Sequence, residues 1–297
     1  MNDHTQFSAN NPRALARAIS LVENEAPGYE SILFDLPATK ARLIGITGAP
    51  GSGKSSLTDS LIAEMISDGK TVAVLCVDPS SPFNKGAVLG DRIRMSKWYE
   101  HPSVFIRSLA SRGSLGGLHP HIIEISDLVQ SSGFDYVIIE TVGVGQSEVD
   151  IAALADTTVV VLVPEGGDVI QTMKAGLMEI ADVFVVNKSD RPGADTYYNT
   201  LKKMIGPRMG EKPKNIPVLK TIATSGEGVN QLYLNVKDHG EDNDVEKRVE
   251  LLTHKAWLII QQQKMRSVDK DLLREKIAAE RGDPKFNIYR FARSYTK

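Results

Sequence analysis

The sequence predicts an α/β protein, a mostly parallel sheet flanked by helices, with N-terminal helices and a C-terminal helical extension. Three observations carry this. Short β-branched runs alternate with helical stretches over residues 41–240, the pattern of a parallel sheet covered on both faces. The first such run, 42–47, leads straight into Gly48-Ala49-Pro50-Gly51-Ser52-Gly53-Lys54-Ser55. That is the spacing of a phosphate loop, Gly, four residues, then Gly-Lys-Ser, so the sheet is of the P-loop NTPase kind. Past residue 240 the strand-like runs stop, and apolar residues recur at helical spacing.

The elements follow in order. Residues 1–40 form an N-terminal helical segment in which Leu15, Ile19 and Val22 recur at helical spacing. Pro27-Gly28 interrupts it, and Pro37 marks the approach to the first strand. Residues 41–240 form the nucleotide-binding domain. Strands are expected at 42–47, 71–77, 104–107, 136–139, 157–163, 183–186 and 218–222. Helices are expected over 53–67, 120–131, 168–181, 194–205 and 228–237, the first with Leu57, Leu61 and Met65 on one face. In residues 241–297, Val245, Val249, Leu252, Ala256 and Ile259 follow a 4-3-4-3 spacing. This stripe packs either on the protein's own core or on a second subunit, as a dimerisation arm.

Composition sets bounds on function. The chain has 297 residues, 41% hydrophobic and 24% charged, ordinary values for a globular protein. A net charge of −2 gives no general attraction to nucleic acid or to anionic membrane. The single cysteine, Cys76, sits in the apolar run 72–77 and is expected to be buried on a strand. It excludes a disulfide framework and a multi-cysteine metal site. No apolar run is long enough to span a bilayer, and no secretory signal is visible, so the expectation is a cytoplasmic protein.

A strand, a glycine loop and a helix N-terminus aim backbone N–H groups at one point, and such a point binds phosphate. Residues Gly48 to Gly53, with Lys54, Ser55 and Ser56 of the following helix, are the candidate phosphate cradle. Lys54 would meet the β- and γ-phosphates, and the Ser55 hydroxyl would ligate Mg²⁺.

Asn187-Lys188-Ser189-Asp190 follows the strand-like run 183–186 and resembles the guanine-recognition motif of GTPases. A carboxylate at Asp190 accepts from the N1–H and the exocyclic amine of guanine. Adenine has neither donor there, so a buried Asp190 would be left unpaired against ATP. Asn187 would brace the loops, and the Lys188 stem would lie over the base. A third loop, with Ser225 and Gly226, either offers a backbone N–H to the guanine carbonyl or is a plain glycine turn.

Three acids are candidates around Mg²⁺ and the attacking water: Asp78, Asp91 and Glu140. Asp78 and Glu140 end strands, and strand C-termini in an open α/β sheet face the ligand crevice. Each alone could be a helix cap. The Gly143 N–H, in Glu140-Thr141-Val142-Gly143, would bond the γ-phosphate and report its presence.

Longer segments point to one family. They are Asp78-Pro79-Ser80-Ser81-Pro82 with Leu89-Gly90-Asp91-Arg92, Ile106 to Gly117, Glu140 to Glu148, and Gly167 to Asp182. Over residues 12–240 the chain resembles the MeaB-type (ArgK-type) GTPases, whose human counterpart is the methylmalonic aciduria type A protein. The resemblance implies a GTP-hydrolysing chaperone for adenosylcobalamin-dependent acyl-CoA mutases, chiefly methylmalonyl-CoA mutase, which gates cofactor loading and protects the mutase. It implies homodimers joined through C-terminal helical extensions. It puts Asp78, Asp91 and Glu140 around magnesium and the nucleophilic water, and makes residues 164–176, with Lys174, a switch that senses the partner. On that reading Lys174 moves towards the γ-phosphate as an arginine finger does; otherwise it is an exposed helix lysine.

Two rivals are a nickel-enzyme maturation GTPase and an ATP-dependent P-loop kinase. The first would bring metal-binding clusters, and here only His119-Pro120-His121 offers a close pair, read as solvent-exposed helix-start residues. The second is opposed by Asn187 to Asp190.

Overall fold

The computed structural model describes residues 8–9, 11–78, 95–111, 118–141, 147–165, 177–205, 216–239, 245–282 and 286–295. Its centre is Arg42–Thr47 (β1), buried but for half-buried Arg42. Around it run Val72–Asp78 (β2), Val104–Ala110 (β3), Tyr136–Glu140 (β4), Thr157–Leu162 (β5), Val183–Val186 (β6) and Val218–Lys220 (β7). The order is β3-β2-β4-β1-β5-β6-β7, and every pairing is parallel. This is the expected sheet. The runs of Val and Ile are explained by the pairing: β2, β4, β5 and β6 are buried along their whole length, while edge strands β3 and β7 are partly open.

Two layers of helix cover the sheet. On one face lie Lys54–Ser67 (α3) and Val229–His239 (α8), and Leu57, Leu61 and Met65 pack with Val229, Leu232 and Val236 against Ile46, Val159 and Val161. Alternate residues of the same strands, Val160, Leu162, Phe184 and Val186, face the other way. They meet Leu177 of Leu177–Ile180 (α6) and Tyr197 and Leu201 of Ala194–Ile205 (α7). Pro12–Glu23 (α1) buries Leu15, Ala18, Ile19 and Val22 and packs on Ile122–Gln130 (α4) and on Tyr29–Phe34 (α2). Ser147–Ala152 (α5) packs on β1 and β5.

Some boundaries differ from expectation. The strand read over 218–222 stops at Lys220, because Ile222 instead bridges antiparallel to Glu227 across a turn. The N-terminal segment is interrupted where Pro27-Gly28 is expected to break it: its two helices are separated by Gly28 in a left-handed conformation (φ 88°). Of the helix read over 168–181, Leu177–Ile180 lies among the described residues.

The chain divides into two units, Met1–Arg248 and Val249–Lys297, a break inside the helix Val245–Met265 (α9). The second unit holds the rest of α9, Lys270–Glu280 (α10) and Ile288–Arg293 (α11). The side chains of Asp269 and Asn287 cap the last two. Phe286, Phe291 and Tyr295 pack in sequence as tilted ring pairs with centroids 5.9 and 5.5 Å apart. On α9, Val249, Leu252, Trp257, Ile260 and Met265 are exposed. Among the described residues no helix is long and apolar enough to cross a membrane.

Candidate functional site

The sheet order puts the C-terminal ends of β2, β4 and β1 side by side. Ile46 pairs with Glu140, and Glu140 with Cys76, across three adjacent strands. The loop 48–53 therefore starts two residues beyond the level of Glu140, and Asp78 lies two residues beyond it on the other side. Ligands of open α/β sheets bind at such an edge.

The loop needs its glycines. Gly48 has φ 142°, and a Cβ there would lie 2.1 Å from the Val161 carbonyl oxygen of β5. Gly53 has φ 92°, and a Cβ there would lie 2.3 Å from Asn187 Nδ2. Ala49, Pro50 and Gly51 form the exposed rim, Ser52 is buried beneath it, and Ser56 is half-buried. Lys54, nearly buried, curls back so that Nζ donates to the carbonyls of Gly48 and Ala49 at 2.8 and 3.2 Å.

Asn187 ties three segments together. It is buried just past β6, and its Nδ2 donates to the Ser52 carbonyl at 2.9 Å. Its Oδ1 accepts from Thr221 Oγ1 at 3.0 Å and from the Ala223 N–H at 3.1 Å. Lys188 has φ 55° and sends Nζ across the loop to the Gly51 carbonyl at 2.8 Å. Asp190 is exposed; it follows Ser189, whose N–H donates to the Thr221 carbonyl at 3.0 Å. In the third loop both the Ser225 and the Gly226 N–H donate to the Ile222 carbonyl at 3.0 Å. Those two donors close a glycine turn and are not held out towards a base.

Around the metal candidates, Ser55 Oγ donates to Glu140 Oε1 at 2.6 Å, and Thr58 Oγ1 lies 3.2 Å from Glu140 Oε2. Ser55, Thr58, Glu140 and Asp78 are all buried. The Asp78 carbonyl accepts from the Ser111 N–H at 2.9 Å, which docks the end of β2 on the end of β3. Asp91, Gly143 and Lys174 lie outside the described residues. Thr58 is the residue the sequence reading missed; its signal was its place four residues after Lys54 and three after Ser55, one helical turn on and over the same face.

The histidine pair corrects an expectation. His119 and His121 are buried, not exposed at the helix start. His119 Nδ1 accepts from the His121 N–H at 3.1 Å, and its Nε2 faces Glu23 at 3.9 Å. His121 lies between Glu25 at 3.3 Å and Glu124 at 3.6 Å. Arg107 reaches the same Glu23 at 3.0 Å. Carboxylates of the N-terminal helical segment, Glu23 and Glu25, thus lie beside both buried imidazoles. Among the described residues no group of three or more His, Cys, Asp or Glu side chains is arranged to hold a metal ion.

Comparison with known proteins adds the following. Residues 15–280 match the family described as Methylmalonyl Co-A mutase-associated GTPase MeaB. A putative GTPase of Pyrococcus horikoshii is 49% identical over 235 residues, covering 76% of this chain and 73% of that protein. A methylmalonic aciduria type A homolog, mitochondrial, of Caenorhabditis elegans is 35% identical over 263 residues, covering 79% of this chain and 65% of that protein. A solved structure described as an LAO/AO transport system kinase superposes with a TM-score of 0.66 at 22% identity. It covers 99% of this chain and 94% of its own, a likeness of fold.

Proposed function

The chain belongs to the MeaB family of methylmalonyl-CoA mutase-associated GTPases, and from that premise we propose that it is a GTP-hydrolysing chaperone of an adenosylcobalamin-dependent acyl-CoA mutase. In this reading it gates loading of the cofactor, protects the mutase and works as a homodimer. One observation carries the nucleotide half of the proposal. Asn187 hydrogen-bonds the phosphate loop through Ser52 and the third loop through Ala223, so the segments read as phosphate cradle and base site are one bonded unit.

The chemistry assigned to this unit is phosphoryl transfer to water, in which positioning and charge stabilisation do most of the work. Backbone N–H groups of residues 48–53 and the N-terminus of α3 take the phosphate oxygens. Lys54 exchanges its two carbonyl partners for the β- and γ-phosphates, a stronger, charge-assisted contact. Asp190, reachable from solvent, accepts from the guanine edge, and the Lys188 stem lies across the base. Ser55, Asp78, Asp91 and Glu140 would hold Mg²⁺, and the three described among them fit it, being buried hard oxygen donors. When bound, the ion neutralises charge on the phosphate oxygens. Glu140 and Asp91 orient the water, the Gly143 N–H reads the γ-phosphate, and Lys174 enters from the partner-sensing segment.

Nucleotide choice tests the base assignment. Asp190→Asn is expected to prefer XTP over GTP in calorimetric titration, because its amide donates to the carbonyl that replaces the guanine amine. A variant that keeps its preference for GTP removes Asp190 from the base site.

A further inference from the structure

Thr58 lies on α3, fully buried, one turn beyond the phosphate-loop lysine. Its Oγ1 is 3.0 Å from the Lys54 carbonyl oxygen and 3.2 Å from Glu140 Oε2. A hydroxyl has one proton to give. The Lys54 carbonyl is the i−4 acceptor of the Thr58 backbone N–H in the helix. An ionised Glu140 has only lone pairs to offer. Both acceptors lie within reach of Oγ1, and a hydroxyl donated to a charged carboxylate makes the stronger bond. The proton therefore favours Glu140.

Glu140 is then held at both oxygens, Oε1 by Ser55 and Oε2 by Thr58. The two-point hold matters because a bond at the second oxygen opposes rotation of the carboxylate about the first. The 2.6 Å bond from Ser55 is in the range of a hydroxyl on a charged carboxylate, yet Ser55 is also the residue assigned to the metal.

We propose that Thr58 is a positioning residue for the Ser55–Glu140 pair, fixing the second oxygen of Glu140 so that the carboxylate keeps its aim when Ser55 serves Mg²⁺. This rests on the reading that Ser55 and Glu140 hold the ion. Sidechain partners of metal-site carboxylates tune affinity by about 10- to 100-fold. Thr58 Oγ is too deeply buried to meet nucleotide directly, so its effect should run through the metal alone.

The test reads metal dependence, not turnover. Dissociation of a fluorescent GDP analogue is followed against Mg²⁺ concentration, and its affinity is measured in EDTA, for wild type, Thr58→Val, Thr58→Ser and Glu140→Gln. The Mg²⁺ midpoint of Thr58→Val is expected to rise about tenfold, with the affinity in EDTA unchanged and with Thr58→Ser within about twofold of wild type. A Thr58→Val midpoint equal to wild type, or an affinity in EDTA that falls in parallel, overturns the proposal. If Glu140→Gln also leaves the midpoint unmoved, the metal assignment itself fails; if only Glu140→Gln moves it, Thr58 alone is refuted. Should Thr58→Val not fold, Thr58→Ala is read against the same outcomes.

Discussion

A side-chain amide in a protein interior must place both its donor and its acceptor, and Asn187 does so with three partners from two other segments. Removing it strands the Ser52 carbonyl, the Thr221 hydroxyl and the Ala223 N–H together. Asn187→Ala is expected to lower stability by about 2–4 kcal/mol, several unsatisfied groups at once, and to weaken GTP binding because the phosphate loop loses its tie. Denaturant unfolding and calorimetry check the two effects; an unfolding midpoint equal to wild type would show that the loops hold without it. The bracing role was legible in the sequence because the tetrapeptide from Asn187 to Asp190 is local. The burial of His119 and His121 was not, because the carboxylates that accompany them, Glu23 and Glu25, come from about a hundred residues away. A short motif says which groups are present, and tertiary packing decides which face water.

At the scale of elements, strand identity was readable and strand length less so. Runs such as 72–77 and 159–162 are apolar at every position because both faces of the sheet are covered. The end of β7 was misjudged because Ile222, apolar and β-branched, is as much at home in the turn that bridges it to Glu227 as in a strand. The packing of α8 on α3 carries a prediction of its own. Tyr233 donates to Asp68 Oδ2 at 2.6 Å and Lys237 at 2.9 Å. The Tyr233 hydrogen bond first, and then Lys237, hold the Asp68 carboxyl below its ordinary value. A carboxyl depressed in the folded state stabilises the fold above its unfolded pKa, and that contribution is lost as pH falls through the folded value. Stability is therefore expected to fall in acid, starting near about pH 4, and Asp68→Asn should show a shallower fall with a lower starting stability near neutrality. Melting temperatures recorded from pH 7 down to pH 3 check this; parallel curves for the two proteins would remove Asp68 from the account.

At the scale of the whole molecule, the sheet and the nucleotide site were legible from alternating runs and two spaced motifs, whereas the C-terminal arm was not. Its stripe of Val249, Leu252 and Ala256 satisfied two readings equally, and a periodic apolar face records only that something covers it. The proposed mutase partner has no local signature in the sequence; the proposal enters through the family, and the segment assigned to sensing it carries Lys174. The measurement that tests this account most directly is steady-state GTP hydrolysis with and without a saturating adenosylcobalamin-dependent acyl-CoA mutase of the same organism, for wild type and Lys174→Ala. The account predicts that the mutase raises the wild-type rate, and that Lys174→Ala keeps its intrinsic rate while losing most of the increment. Absence of both binding and stimulation with every such mutase of the organism would contradict it.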